Sequence, residues 1–152
     1  MAHEYPSSVD ICRQQLDAYS RHSHRPLDLF TAHDQYGLVL MKHAHDPQKA
    51  GEQFSQAIEL APQGFKSSDA EWAYVYWHRA AAEQQRGNNA DAEKDFGVAE
   101  NSLREVENAM GKENNAAYYH DFLSSVVKQH LAMLESENQH DQAKQVLANF
   151  AQ

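Results

Sequence analysis

The sequence predicts an all-α chain of about seven helices grouped as antiparallel pairs, and three observations carry that expectation. Prolines and glycines are few, and Gly64, Gly87 and Gly111 fall where apolar periodicity breaks, which favours helices over a turn-rich β fold. No alternating apolar–polar run is long enough to claim a strand. A short stripe also recurs: Ala50-x3-Phe54-x2-Ala57, Ala92-x3-Phe96-x2-Ala99 and Ala143-x3-Leu147-x2-Phe150. Offsets of four and seven return to one helical face. Each copy follows a polar break and a further helical segment, so the unit is a repeated helix-turn-helix. Repetition moves the functional expectation from catalysis to surface recognition.

The first helix starts near Ser8, with Ile11, Cys12, Gln15, Leu16 and Tyr19 read as one face, and fades at His22-Ser23-His24-Arg25-Pro26. Pro26 biases Arg25 away from helical geometry, which makes this stretch a linker. The second helix runs from about Leu27 to His45 and stops at Asp46-Pro47, a good N-cap followed by a residue suited to the first helical position. The third, about Gln48 to Leu60, ends at Pro62-Gln63-Gly64. Ser68-x-x-Glu71 has the form of a capping box before the fourth helix, which holds Trp72, Val75, Tyr76, Trp77 and Ala80 and ends at Gly87-Asn88-Asn89. In the fifth, Ala92, Phe96, Ala99, Leu103, Val106 and Met110 alternate spacings of four and three, and Gly111 follows as a C-terminal cap. The sixth spans about Asn115 to Glu137, and the last runs from Asp141 to Ala151.

The chain has 152 residues, enough for one domain with a real core, and its formal charge of −9 disfavours phosphate backbones and anionic membranes as partners. The densest basic stretch, Arg21 to Arg25, depends on histidine protonation. Cys12 is alone, which excludes an intramolecular disulfide, and it is read as a packed, inert thiol. Met1 to Asp10 lacks the apolar core of a secretory signal, and no run approaches a membrane span. A cytoplasmic location is the expectation.

The second and third, fourth and fifth, and sixth and seventh helices form three pairs that resemble tetratricopeptide repeats. In that family the second helix of each pair typically begins with a small residue, then an aromatic, then alanine, and ends at proline. Ala50, Phe54, Ala57 and Pro62 match that half-motif in full, and Ala92, Phe96 and Ala99 match three of its four positions. Ala80 takes the first-helix small-residue role in the second pair, and Gly37 takes it in the first if that turn is one residue longer than usual. The third pair is degenerate, with Leu147 for the aromatic and Phe150 for the small residue. Ala50 to Ala92 is 42 residues and Ala92 to Ala143 is 51, against a family value of about 34. The resemblance implies a single domain: residues 1–26 as capping helix and linker, and 27–151 as three pairs in a short right-handed superhelix.

It also implies a concave groove, lined by the first helix of each pair, that receives a peptide or helix of a protein partner. Carrying the groove-facing spacing over gives Thr31, Asp34, Leu38, Met41 and Lys42 from the first pair. The second gives Tyr74, Trp77, Ala81, Gln84 and Gln85, and the third gives Lys128, Ala132 and Glu135. The Lys, Asn and Arg set with which some members clamp a carboxylate is missing here. The expected role is an adaptor or small secretion-type chaperone, with no cofactor and with room for a homodimer.

Ten histidines raise a competing class, a metal- or small-ligand-binding domain using His22, His24, His43 and His45. Residues two apart on a helix point about 200° apart, so His43 and His45 chelate together only where the helix has frayed. Solvent-facing histidines near helix ends are the simpler expectation. No nucleophile elbow, phosphate loop or zinc-hydrolase motif is present, so no enzymatic activity is expected. Glu100 and Glu107 share a face with Arg104 between them, which reads as a solvated, salt-bridged surface.

Overall fold

The computed structural model describes residues 7–23, 25–66, 69–111 and 116–151. Among them are seven α-helices and no strand: α1 (Ser8–His22), α2 (Pro26–Val39), α3 (Pro47–Leu60), α4 (Ala70–Gln85), α5 (Asn89–Met110), α6 (Ala116–Ser136) and α7 (His140–Phe150). A π-helical turn, Leu40–Ala44, prolongs α2, and a 3-10 turn, Ala61–Gln63, prolongs α3. The all-α class and the helix boundaries follow the sequence expectation closely. Each helix packs against the next along the chain.

Local chemistry explains the boundaries. Ser7 caps α1 by accepting from the Asp10 backbone N–H at 3.2 Å, and Asp46 caps α3 by accepting from that of Lys49 at 3.0 Å, ahead of Pro47. That N–H and the Lys49 ammonium hold the Asp46 carboxyl below the usual carboxylate range. Ser68 of the expected capping box lies outside the described residues. Asp69 stands at the N-cap of α4, but its carboxylate accepts from the Lys66 backbone N–H at 2.8 Å and makes no cap bond.

The three hairpin turns repeat one geometry. His45, Gly87 and Asn138 have positive φ angles of 51°, 77° and 60°. Each stands five residues before the alanine that opens its stripe. The residue after each, Asp46, Asn88 or Gln139, accepts from the backbone N–H of Ala50, Ala92 or Ala143 at 3.1, 3.0 and 3.0 Å. Asn88 and Gln139 donate their own N–H five residues back, to Glu83 and Leu134, both at 2.9 Å. Asp46 donates six residues back, to Leu40, at 3.1 Å. The π turn holds the additional residue, so the first hairpin is one residue longer than the other two.

Two apolar clusters fill the core. Phe30, Leu40, Ala50, Phe54, Ala57, Ala61, Val75 and Ala82 form one; the other runs from Ala73 and Ala80 through Ala92, Phe96, Ala99 and Leu103 to Leu123, Val126, Val127, Met133, Leu134 and Ala143. α4 supplies both, with Val75 and Ala82 turned one way and Ala73 and Ala80 the other, so it is apolar on two sides. The first two stripes are fully buried. Gly37 meets the side of Phe54: a Cβ there would lie 2.8 Å from ring carbons Cδ1 and Cζ.

Four readings need correction. α1 buries no residue fully, Ile11 is 50 % exposed, and Cys12 is only half-buried. Its packed edge is Val9, with Cys12 and Leu16 at offsets of three and seven; Ile11 lies well off that line. In α7, Ala143, Val146 and Phe150 pack inward while Leu147 is 54 % exposed, because among the described residues no helix lies beyond α7 to cover it. Arg104 does not pair with Glu100 or Glu107: these carboxylates meet α6, at His130 (2.8 Å) and His120 (3.0 Å). That face of α5 is an interface, and Glu100 and His130 are buried in it. The histidines are accordingly not all end-of-helix surface groups, since His33, His78 and His130 stand inside helices with side-chain partners.

Candidate functional site

The first helices of the three pairs, α2, α4 and α6, meet through polar and aromatic side chains. His78 of α4 bonds Asp34 of α2 through Nδ1 at 2.7 Å, with both side chains mostly buried. Four residues earlier on the same side of α4, Tyr74 stacks on Phe122 of α6 at 4.5 Å, and its hydroxyl lies 2.8 Å from that of Tyr118. Trp77 stands edge-on to Phe122 at 5.0 Å and donates its indole N–H to Gln129 at 2.8 Å. Gln129 in turn donates to Gln84 at 3.1 Å. Both ends of the Gln129 amide are thereby used, which fixes its orientation.

Behind this face, α3, α4 and α5 are tied by one guanidinium. Arg79 donates through Nε and Nη2 to both oxygens of buried Asp95 at 2.7 and 2.8 Å, and through Nη1 to Ser55 at 3.3 Å. The Asp95 bonds push the Arg79 pKa up, so the fork stays charged. The turns are tied as well: Glu83 accepts from Arg86 and Asn88 at 2.8 and 2.6 Å, and Asn89 donates to Glu137 of the next turn.

The groove residues read from the spacing divide into two groups. Lys42, Gln85, Lys128, Ala132 and Glu135 are exposed, and so is Leu38; Thr31 is exposed with its hydroxyl bonded back to the Leu27 carbonyl at 3.0 Å. Asp34, Tyr74, Trp77 and Gln84 are half-buried and engaged with neighbouring helices, Met41 packs on the first core cluster, and Ala81 is half-buried. On α6, the residues that meet α4 are Tyr118, Phe122 and Gln129, at offsets of four and seven; Lys128 lies one position, about 100°, off that line. Sequence reasoning missed Gln129, although a polar residue on the continuation of the Tyr118–Phe122 line was its available signal. Among the described residues Tyr118 is the most open of the large apolar side chains, at 59 % exposure.

His43 lies in the π turn and His45 adopts the left-handed conformation that ends it; both are exposed, as is His22 at the end of α1. His24 lies outside the described residues. Among the described residues no group of three or more His, Cys, Asp or Glu side chains is placed to hold a metal ion, and no helix is long and apolar enough to cross a membrane.

No protein-family model matches the chain, and no curated protein matches it.

Burial, followed by the Tyr118 hydrogen bond, raises the Tyr74 phenol well above its ordinary range, and burial raises that of Tyr76. A raised pKa means that the folded chain keeps a proton the unfolded chain has lost. The associated stability is complete below the unfolded phenol value near 10 and falls as pH climbs beyond it. Denaturant melts between about pH 9 and 11 should show that fall, and Tyr74→Phe should make it shallower. An unchanged slope would remove Tyr74 as a source.

Proposed function

We propose that the protein is a non-enzymatic interaction module of tetratricopeptide type, whose α2/α4/α6 face receives a peptide or helix of a partner protein. The observation that carries this reading is the threefold turn geometry, in step with the recurring alanines. Repeated hairpins build an extended face from their equivalent helices, which suits a linear partner better than a small molecule. Superhelical stacking, adaptor or secretion-chaperone work and a cytoplasmic setting belong to the same reading.

The contacts refine where a partner would sit. Trp77 is committed to Phe122 and Gln129, so it is a floor residue, and Trp77→Ala would disturb the α4–α6 contact along with any binding. Tyr118 and Leu38 present open apolar area on the same set of helices and are the better anchors. A photo-crosslinking residue placed at 118 or 38 in the native host should capture one common protein, while the same residue at exposed Glu105 of α5 should not. Equal capture from all three positions, or none from 118 and 38, would overturn the assignment of this face.

A further inference from the structure

Between α5 and α7, with His130 of α6 among its walls, lies a hollow of about 240 Å³. Two of its lining side chains carry buried nitrogens without a hydrogen-bond partner among the described residues: Nη2 of Arg104 and Nε2 of His130. His130 is 3 % exposed, its ring stacks on Phe96 at 5.0 Å, and its Nδ1 faces Glu100 at 2.8 Å. A buried guanidinium N–H without an acceptor is costly, and His130, whose Nε2 is also unpartnered, lines the same hollow.

We propose that this hollow binds a small oxyanion, a carboxylate or a phosphate group, between Arg104 and His130. Glu100 is itself buried, and a buried carboxylate needs a compensating charge. Within the proposed site His130 carries a proton on each ring nitrogen, Nδ1–H toward Glu100 and Nε2–H toward the anion. Arg104 adds its unused N–H and a charge that neither nearby carboxylate takes up, since Glu107 meets His120 instead. An oxyanion gives both nitrogens an acceptor. Asn101, Gln145 and Asn149 stand around it with amide donors, and the Glu93 carboxylate at the wall works against an anion. The site uses α5, α7 and, on α6, His130 rather than the Tyr118, Phe122 and Gln129 that meet α4, so it stands or falls separately from the proposed function.

The test is a titration of the full chain with inorganic phosphate and, separately, with acetate, at ionic strength held constant by sodium chloride. The His130 ring resonances are followed by long-range proton–nitrogen spectra. Saturable shifts in either arm below about 50 mM, a range that reaches millimolar affinities, are expected. The responding arm identifies the source as phosphate or carboxylate. Arg104→Gln should weaken the binding about tenfold or more, and Arg104→Lys by less, as expected for loss of a charge-assisted bond. Because Arg104 is half-exposed, both variants should keep the parent thermal melt. No saturable shift in either arm, or equal binding by the folded Arg104→Gln variant, would overturn the site.

Discussion

Phe54→Ala should destabilise the fold by about 3–5 kcal/mol, the range for an aromatic side chain removed from a filled interior. Phe54 is fully buried in the first core cluster. The same ring gives the reverse substitution its force. Gly37→Ala adds a methyl within 2.8 Å of ring carbons of the fully buried Phe54. Alanine in place of a mid-helix glycine should gain about 1 kcal/mol from helix propensity. Overpacking costs about 1–3 kcal/mol and more when the obstructing group is a rigid ring, so the net effect is destabilising. Denaturant melts of Gly37→Ala, Phe54→Leu and the double variant form a cycle. The double variant should be more stable than the sum of the single losses predicts, because leucine leaves room for the added methyl. Strict additivity would show that the two residues do not act as one contact.

How much of this was legible in the sequence follows from what each signal measures. Asp46-Pro47, Gly87 and Gly111 are local backbone chemistry, and the helix ends they imply lie where the structure has them. Ala50, Phe54, Ala92 and Phe96 are a periodic signal, and they are the core. The register between helices is a tertiary quantity. Lys128 and Gln129 are adjacent in sequence, and only the packed position of α6 against α4 decides which one meets Trp77. Partner choice among charges is also tertiary. Arg104 is within helical reach of both Glu100 and Glu107, yet each carboxylate turns to a histidine on another helix. A local rule names the neighbour that an isolated helix would use, and a packed helix has other options. Leu147 shows the converse: the stripe places it with Phe54 and Phe96, but burial depends on a following helix, which α7 lacks among the described residues.

The Glu100–His130 pair carries the other large effect. His130→Leu should cost about 3–5 kcal/mol, since it leaves the Glu100 carboxylate buried without its partner. Lost packing contributes less, because leucine still fills the space beside Phe96. The combined variant Glu100→Leu/His130→Leu should recover most of the loss, as buried ion pairs often exchange for apolar residues at little net cost. Thermal and urea melts of the two single variants and the double measure that coupling. If the single substitution is nearly neutral, the pair is not a buried charge compensated by a partner, and the donor assigned to Nε2 loses its basis. If the double variant recovers stability, the pair is dispensable for folding. A polar pair that a core can do without calls for another use, and the anion proposed for the hollow lined by His130 and Arg104 supplies one.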